Sequence, residues 1–212
     1  IGEDVHNGQS LLPKGHALRP QDIGGMLALG ITEIAVTRRP KVAILSTGDE
    51  LVSPKDTPGP GQVRDINSYT VASLVQRCGG TPIPIGIVRD EYELLLETAR
   101  SALAEADILI FSAGSSTSTR DLTAAVINAL GEPGVLVHSV SLRPGKPTIL
   151  AVVDGKPAIG LPGNPVSAIV VFNLFVAPLL SWIVGLEHPP HHYTVQAKLK
   201  RNIASASGRE DH

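Results

Sequence analysis

Four short stretches gather residues able to do chemistry: STGDEL at 46–51, SAGSSTSTRD at 112–121, SLRPGKP at 141–147 and LPGNP at 161–165. In the first, Gly48 lets the chain turn, and Asp49 and Glu50 project as paired carboxylates that can hold Mg2+ or position a water. Asp49 could equally cap a short helical turn. The second stretch is rich in hydroxyls and runs into a helix, so its backbone N–H groups could cradle a phosphate. The alternative is that Thr119 or Asp121 serves as N-cap of a helix beginning near Leu122. The third sets Arg143 and Lys146 three apart on a Pro-Gly turn, which suits an oxyanion clamp and also an ordinary solvated turn. In the fourth, Asn164 is a good N-cap and Pro165 fits the first helical position, so the segment stops a strand and starts a helix. Gly163 would also let a ligand approach the backbone, at the positive end of a helix dipole.

These stretches follow strand-like runs. KVAILST (41–47), TPIPIGIV (81–88), DILIFSA (107–113), GVLVHSVSL (134–142), TILAVVD (148–154) and KPAIGL (156–161) read as strands, and the Asp154-Gly155 pair as a hairpin turn. Prolines in 81–88 place that strand near an edge. Helical spacing covers a short segment from Pro20, then 67–80, 91–106, 120–131 and 164–185, with Pro178 a candidate kink in the last. Short strands are expected before residue 20, in TEIAVTRRP (32–40) and in HYTVQAKLKR (192–201). Strands alternating with helices predict a three-layer, doubly wound α/β fold: a mostly parallel sheet with one C-terminal hairpin and flanking β-rich fragments. Residues 1–39 read as the tail of a linking region, 40–186 as the α/β domain and 187–212 as the start of a β domain. Ligands of such sheets bind beyond the carboxyl ends of the strands, where all four stretches fall.

The 212 residues are enough for a substantial core. Charge is nearly balanced, 18 basic against 20 acidic side chains for a net −2, without a charge run, which argues against nucleic acid as a partner. The lone Cys78 allows no internal disulfide and points to a reducing cytoplasm. Val166 to Leu186 approaches the length of a membrane span, but Asn173, Pro178 and Ser181 interrupt it and no basic anchors flank it, so a buried helix is expected rather than a membrane. Phe175 and Trp182 on that helix read as core or interface. His188, His191 and His192 read as a solvated turn. The chain opens without Met and closes as a strand begins, so it is expected to be a piece of a longer protein. Its uncovered apolar surface leads us to expect a homo-oligomer, a dimer or, for the isolated domain, a trimer.

Acidic and basic clusters at one rim suggest a polyanionic small molecule with a divalent metal, hence phosphoryl or nucleotidyl chemistry; no GxGxxG, Walker loop, HExxH or CxxC is present. From about Asp22 to Leu180 the chain resembles the molybdopterin molybdenumtransferase family, the molybdenum insertases, including the matching domain of gephyrin. The likeness rests on RRPKVAILSTGDEL, GQVRDINSYTVASLVQRCGG, SAGSSTSTRD, LRPGKP and GLPGNPVSA in that order and spacing. It implies a molybdopterin-binding core shared with the molybdopterin adenylyltransferases. It also implies molybdenum cofactor biosynthesis, with molybdate inserted into adenylylated molybdopterin, release of AMP, and use of a divalent cation such as Mg2+.

Carried over by motif, Asp49, Glu50, Asp121 and Lys146 would act in catalysis, with Glu50 and Asp121 on the metal. Asp65, Asn67, Ser112, Gly114 and Ser115 would bind the pterin phosphate and nucleotide. Arg143 and the turn containing Pro162, Gly163, Asn164 and Ser167 would hold molybdate or phosphate alongside Lys146. The chain departs from the family pattern at Ala113 and Ser118, where glycines are usual. A non-catalytic molybdopterin-binding or scaffold module, and the adenylyltransferase itself, are the other readings.

Overall fold

The structure is a computed structural model that describes residues 5–113, 117–186, 195–202, 205 and 207–212. Its centre is a six-stranded sheet of β1 (Lys41–Thr47), β4 (Thr81–Val88), β5 (Ile108–Ala113), β6 (Pro133–His138), β8 (Ile149–Val153) and β9 (Lys156–Leu161), in the order β4-β1-β5-β9-β8-β6. Five strands run one way. Only β8 opposes its neighbours β9 and β6. Asp154 and Gly155 both take positive φ, 49° and 81°, which is the geometry of the tight hairpin joining β8 to β9. As expected from its prolines, β4 is an edge strand.

Alternating side chains divide the core in two. Ala43, Leu45, Leu109 and Phe111 face α3 (Tyr92–Glu105) and α4 (Thr117–Leu130). Val42, Ile44, Ile108 and Ile110 face α2 (Asn67–Arg77) and the helix spanning 165–183. With both faces covered, β1 and β5 are almost wholly buried, which is why they read as continuous apolar runs.

The 165–183 helix is continuous through three parts: α5 (Pro165–Val171), a π segment (Phe172–Val176) and α6 (Ala177–Ile183). Pro178 therefore sits beside a widened turn, marked by the Ala177 N–H donating to the Phe172 carbonyl. This helix is long and apolar enough to cross a membrane, with mean hydropathy 2.2, yet Ala168, Val171, Phe172, Val176 and Leu180 are packed against the sheet. Phe175 packs at the edge of that core, while Trp182 is 78% exposed.

Several expected elements differ. GVLVHSVSL is not one strand: Ser139 turns to φ 80° and ends β6, and Leu142–Arg143 forms a separate short strand, β7, paired with β10 (Glu210–Asp211). Residues 32–40 and the described part of 192–201 form no strand; extended segments need a ladder partner, and neither has one among the described residues. Residues 5–19 likewise carry turns without strands, leading into α1 (Pro20–Ala28), whose one buried side chain is Met26. The following segment is fastened by Arg38, whose guanidinium donates two hydrogen bonds to Asp107, at 2.7 and 2.5 Å, while the Lys41 backbone N–H gives a third. The Arg38 guanidinium holds the Asp107 carboxyl down at about 2.

Candidate functional site

The carboxyl ends of β1, β5 and β9 lie side by side at one edge of the sheet, and the β6–β8 connection turns over at the same edge. Above β1, β5 and β9 lies a pocket of about 550 Å3. Its walls come from four separated segments: Glu50; Arg64, Asp65 and Asn67; Ser112 and Ala113; and Gly163 and Pro165.

Each wall has a local cause. Gly48 turns the chain at φ 149°, and a Cβ there would stand 2.8 Å from Glu50 Oε2, so the glycine lets the Glu50 side chain fold back over the turn. Leu51–Val52 (β2) then pairs with Val63–Arg64 (β3), latched by the Val63 N–H to the Glu50 carbonyl at 2.8 Å and the Asp65 N–H to the Val52 carbonyl at 2.9 Å. That places Asp65, 4% exposed, against the start of α2, where its Oδ1 accepts from the Ser68 N–H at 3.1 Å. A carboxylate there is favoured by the helix dipole. Asn67 Nδ2 donates to the Gly163 carbonyl at 2.9 Å and so ties α2 to the β9–α5 turn. Asn164 caps α5 as its sequence predicts, its Oδ1 accepting from the Val166 and Ser167 N–H groups at 3.1 and 3.2 Å. Beneath the floor, Ser46 Oγ is buried and has no hydrogen-bond partner among the described residues. A buried hydroxyl left unpaired costs about 1–3 kcal/mol.

A second cluster braces the rim from the opposite face. Asp90, in the loop after β4, accepts from Thr47 Oγ1 at 2.5 Å and from Thr119 Oγ1 at 2.6 Å, and its backbone N–H donates to Asp49 Oδ1 at 3.3 Å. One carboxylate thus joins the end of β1, the first turn of α4 and the STGDEL loop.

Of the residues singled out from sequence, the pocket brings together Glu50, Asp65, Asn67, Ser112 and Gly163. Asp49 is exposed and turned to Asp90. Because α4 begins at Thr117, Thr119 and Asp121 are inside the helix and neither is its N-cap; Asp121 is exposed and does not line the pocket. Arg143 and Lys146 are exposed on the β6–β8 connection, beyond the pocket wall. Their turn is fixed by Thr148 Oγ1 donating to the Gly145 carbonyl at 2.6 Å, and a Cβ at Gly145 would meet Val171 Cγ2 at 2.8 Å. Pro162 and Ser167 are buried behind the α5 cap. Gly114 and Ser115 lie outside the described residues. At the two departures from the family pattern, Ala113 forms part of a wall that leaves the pocket open, and Ser118 is exposed on α4.

Sequence reading missed Asp90, Arg64 and Ser46. Arg64 is the one cationic side chain among the described pocket residues. Asp90 had an available signal, since it too follows a strand of the parallel set. No trio of His, Cys, Asp or Glu side chains converges among the described residues. Glu50 and Asp65 share the pocket, however, and Mg2+ commonly takes only one or two carboxylates with water and substrate phosphate. A larger cleft of about 850 Å3, between the N-terminal segment and the end of α6, is apolar, with Lys14 and His16 as its ionisable residues.

The family described as a probable molybdopterin binding domain matches residues 43–182, a span that holds all of the six-stranded sheet except the first two residues of β1, and every wall of the pocket. The chain belongs to the molybdopterin-binding domain family. A molybdopterin molybdenumtransferase of Nostoc sp. is 41% identical over 182 residues, covering 84% of this chain and 42% of that protein. Another, from Haemophilus influenzae, is 35% identical and covers all of this chain and 52% of its own length. The crystal structure of a molybdopterin biosynthesis protein from Pyrococcus horikosii superposes with a TM-score of 0.78 at 40% identity, over 87% of this chain and 46% of that one. The chain thus spans about half the length of the curated relatives it matches.

Proposed function

We propose that the chain is the molybdopterin-binding part of a molybdopterin molybdenumtransferase, and that the protein acts in molybdenum cofactor biosynthesis by inserting molybdate into adenylylated molybdopterin with release of AMP. The observation that carries this reading is the convergence of Glu50, Asp65, Asn67, Ser112 and Gly163 on one pocket at the carboxyl ends of the strands. A phosphorylated pterin entering it would meet two carboxylates and one guanidinium. Bare phosphate oxygens would be repelled there, which favours a requirement for a divalent cation. Glu50 and Asp65 are the side chains that would hold Mg2+, and the bound cation would neutralise charge on the phosphoanhydride as it breaks. Arg64 and the Ser112 hydroxyl would orient the phosphate oxygens. Arg143 and Lys146, on their rigid turn at the same sheet edge, would hold molybdate beside the pterin.

The test is to incubate the full-length protein with adenylylated molybdopterin, molybdate and Mg2+ and to follow AMP by chromatography. The expected result is AMP release that depends on both molybdate and Mg2+. Tight binding of the adenylate without AMP release would make the protein a binding module. Synthesis of the adenylate from ATP and molybdopterin would make it the adenylyltransferase.

A further inference from the structure

Ser46 is the penultimate residue of β1, fully buried, with a hydroxyl that has no partner among the described residues. Strand alternation fixes its direction. Val42 and Ile44 pack against α2 and the 165–183 helix, so Ser46 stands on that same face. Its register partner on β5 is Ser112, two residues beyond Ile110, on the same face and in the pocket lining. Neighbouring strands are about 4.8 Å apart, so two serine hydroxyls on one face come within reach of each other by a change of rotamer. Several polar atoms of the neighbouring segments already have partners. Asn164 takes the Val166 and Ser167 N–H groups, Asp65 takes that of Ser68, and Asn67 is bound to the Gly163 carbonyl.

We propose that Ser46 is a positioning residue for the pocket: when a phosphate oxygen of the ligand enters, Ser46 Oγ–H donates to Ser112 Oγ and turns the Ser112 proton outward onto that oxygen. The inference rests on the pocket being the ligand site of the proposed function. It specifies the ligand chemistry at the floor as a phosphate ester or anhydride, because the opposite polarity, Ser112 donating inward to Ser46, would present a lone pair to an anion. Glu50 and Asp65 in the same walls mean that the phosphate arrives with a cation.

The experiment titrates AMP, in Mg2+, into the 212-residue chain and into its Ser46→Ala, Ser46→Cys, Ser112→Ala and combined Ser46→Ala, Ser112→Ala variants by calorimetry, with thermal unfolding measured in parallel. Ser46→Ala should bind AMP about tenfold more weakly, about 1.4 kcal/mol. Its Tm should be unchanged or higher, because a buried unpaired hydroxyl is gone. Ser46→Cys replaces the hydroxyl by a somewhat larger, weak S–H donor and should bind AMP as weakly as the alanine variant. The double alanine variant should bind no more weakly than Ser112→Ala alone. Undiminished AMP binding by Ser46→Ala while Ser112→Ala is impaired would overturn the inference and leave the pocket intact. A parallel fall in Tm and affinity would overturn it too, by showing a packing role. No AMP binding to the unmodified chain, or binding indifferent to Ser112→Ala, would overturn the pocket reading and the inference together.

Discussion

Replacing Asp90 by alanine removes two hydroxyl-to-carboxylate hydrogen bonds, 2.5 Å from Thr47 and 2.6 Å from Thr119. Bonds to a charged acceptor contribute about 1.5–3 kcal/mol each. Asp90 itself is half-buried, so the lower part of that range applies, and a loss of about 3–4 kcal/mol is expected. Part of that loss is the stranding of the Thr47 hydroxyl, in a residue with 0% exposure. Two further variants separate the terms. Asp90→Asn keeps the shape and one acceptor oxygen, so it should lose about half as much. Thr47→Val should be costly in the unmodified chain and nearly free in the Asp90→Ala background, because the partner it would lose is already gone. Urea unfolding reads these as shifts of midpoint at constant m. A loss under about 0.5 kcal/mol for Asp90→Ala would refute the brace, as would Thr47→Val costs that simply add.

Asn164→Ala should destabilise by about 0.5–2 kcal/mol in the same assay through loss of both cap bonds. Asp107 has its folded pKa pulled from 3.8 to about 2, so its pairing with Arg38 stabilises the fold above about pH 4 and that contribution disappears as pH falls toward 2. Asp107→Asn should flatten the acid limb of stability against pH, and an unchanged limb would remove the pair from the account. Lys146→Ala should weaken molybdate binding by about 1.5–3 kcal/mol in calorimetry, the scale of a charge-assisted bond; unchanged affinity would take Lys146 out of the site.

The sheet and its helices were legible because two-sided burial writes itself as apolar runs and helical spacing as periodic ones. β1, α2, α3 and β5 came out close to their observed bounds, and the Asn164 cap and the Asp154-Gly155 turn followed from side-chain chemistry alone. What failed depended on neighbours. TEIAVTRRP carries strand-like residues but has no ladder partner among the described residues, and SAGSSTSTRD offers several hydroxyl caps without showing that the helix starts at Thr117. The π segment at Phe172–Val176, just before the Pro178 that the sequence offers as a kink, carries no residue pattern of its own. The site was half legible: Glu50, Asp65, Asn67, Ser112 and Gly163 stand in recognisable motifs at strand or helix ends. Asp90 gains its meaning only from β4 lying beside β1, and Ser46 only from standing on a packed face without a hydrogen-bond partner among the described residues.

The chain has a single tryptophan, Trp182, which stands largely in solvent on the last turn of the 165–183 helix. Pro165, at the pocket, is 17 residues away, about 25 Å at 1.5 Å per residue. Its emission should therefore be red and readily quenched by iodide, and ligand entering the pocket should leave the spectrum unaltered. A binding assay on intrinsic fluorescence would be blind to the pocket but sensitive to whatever covers that end of the helix.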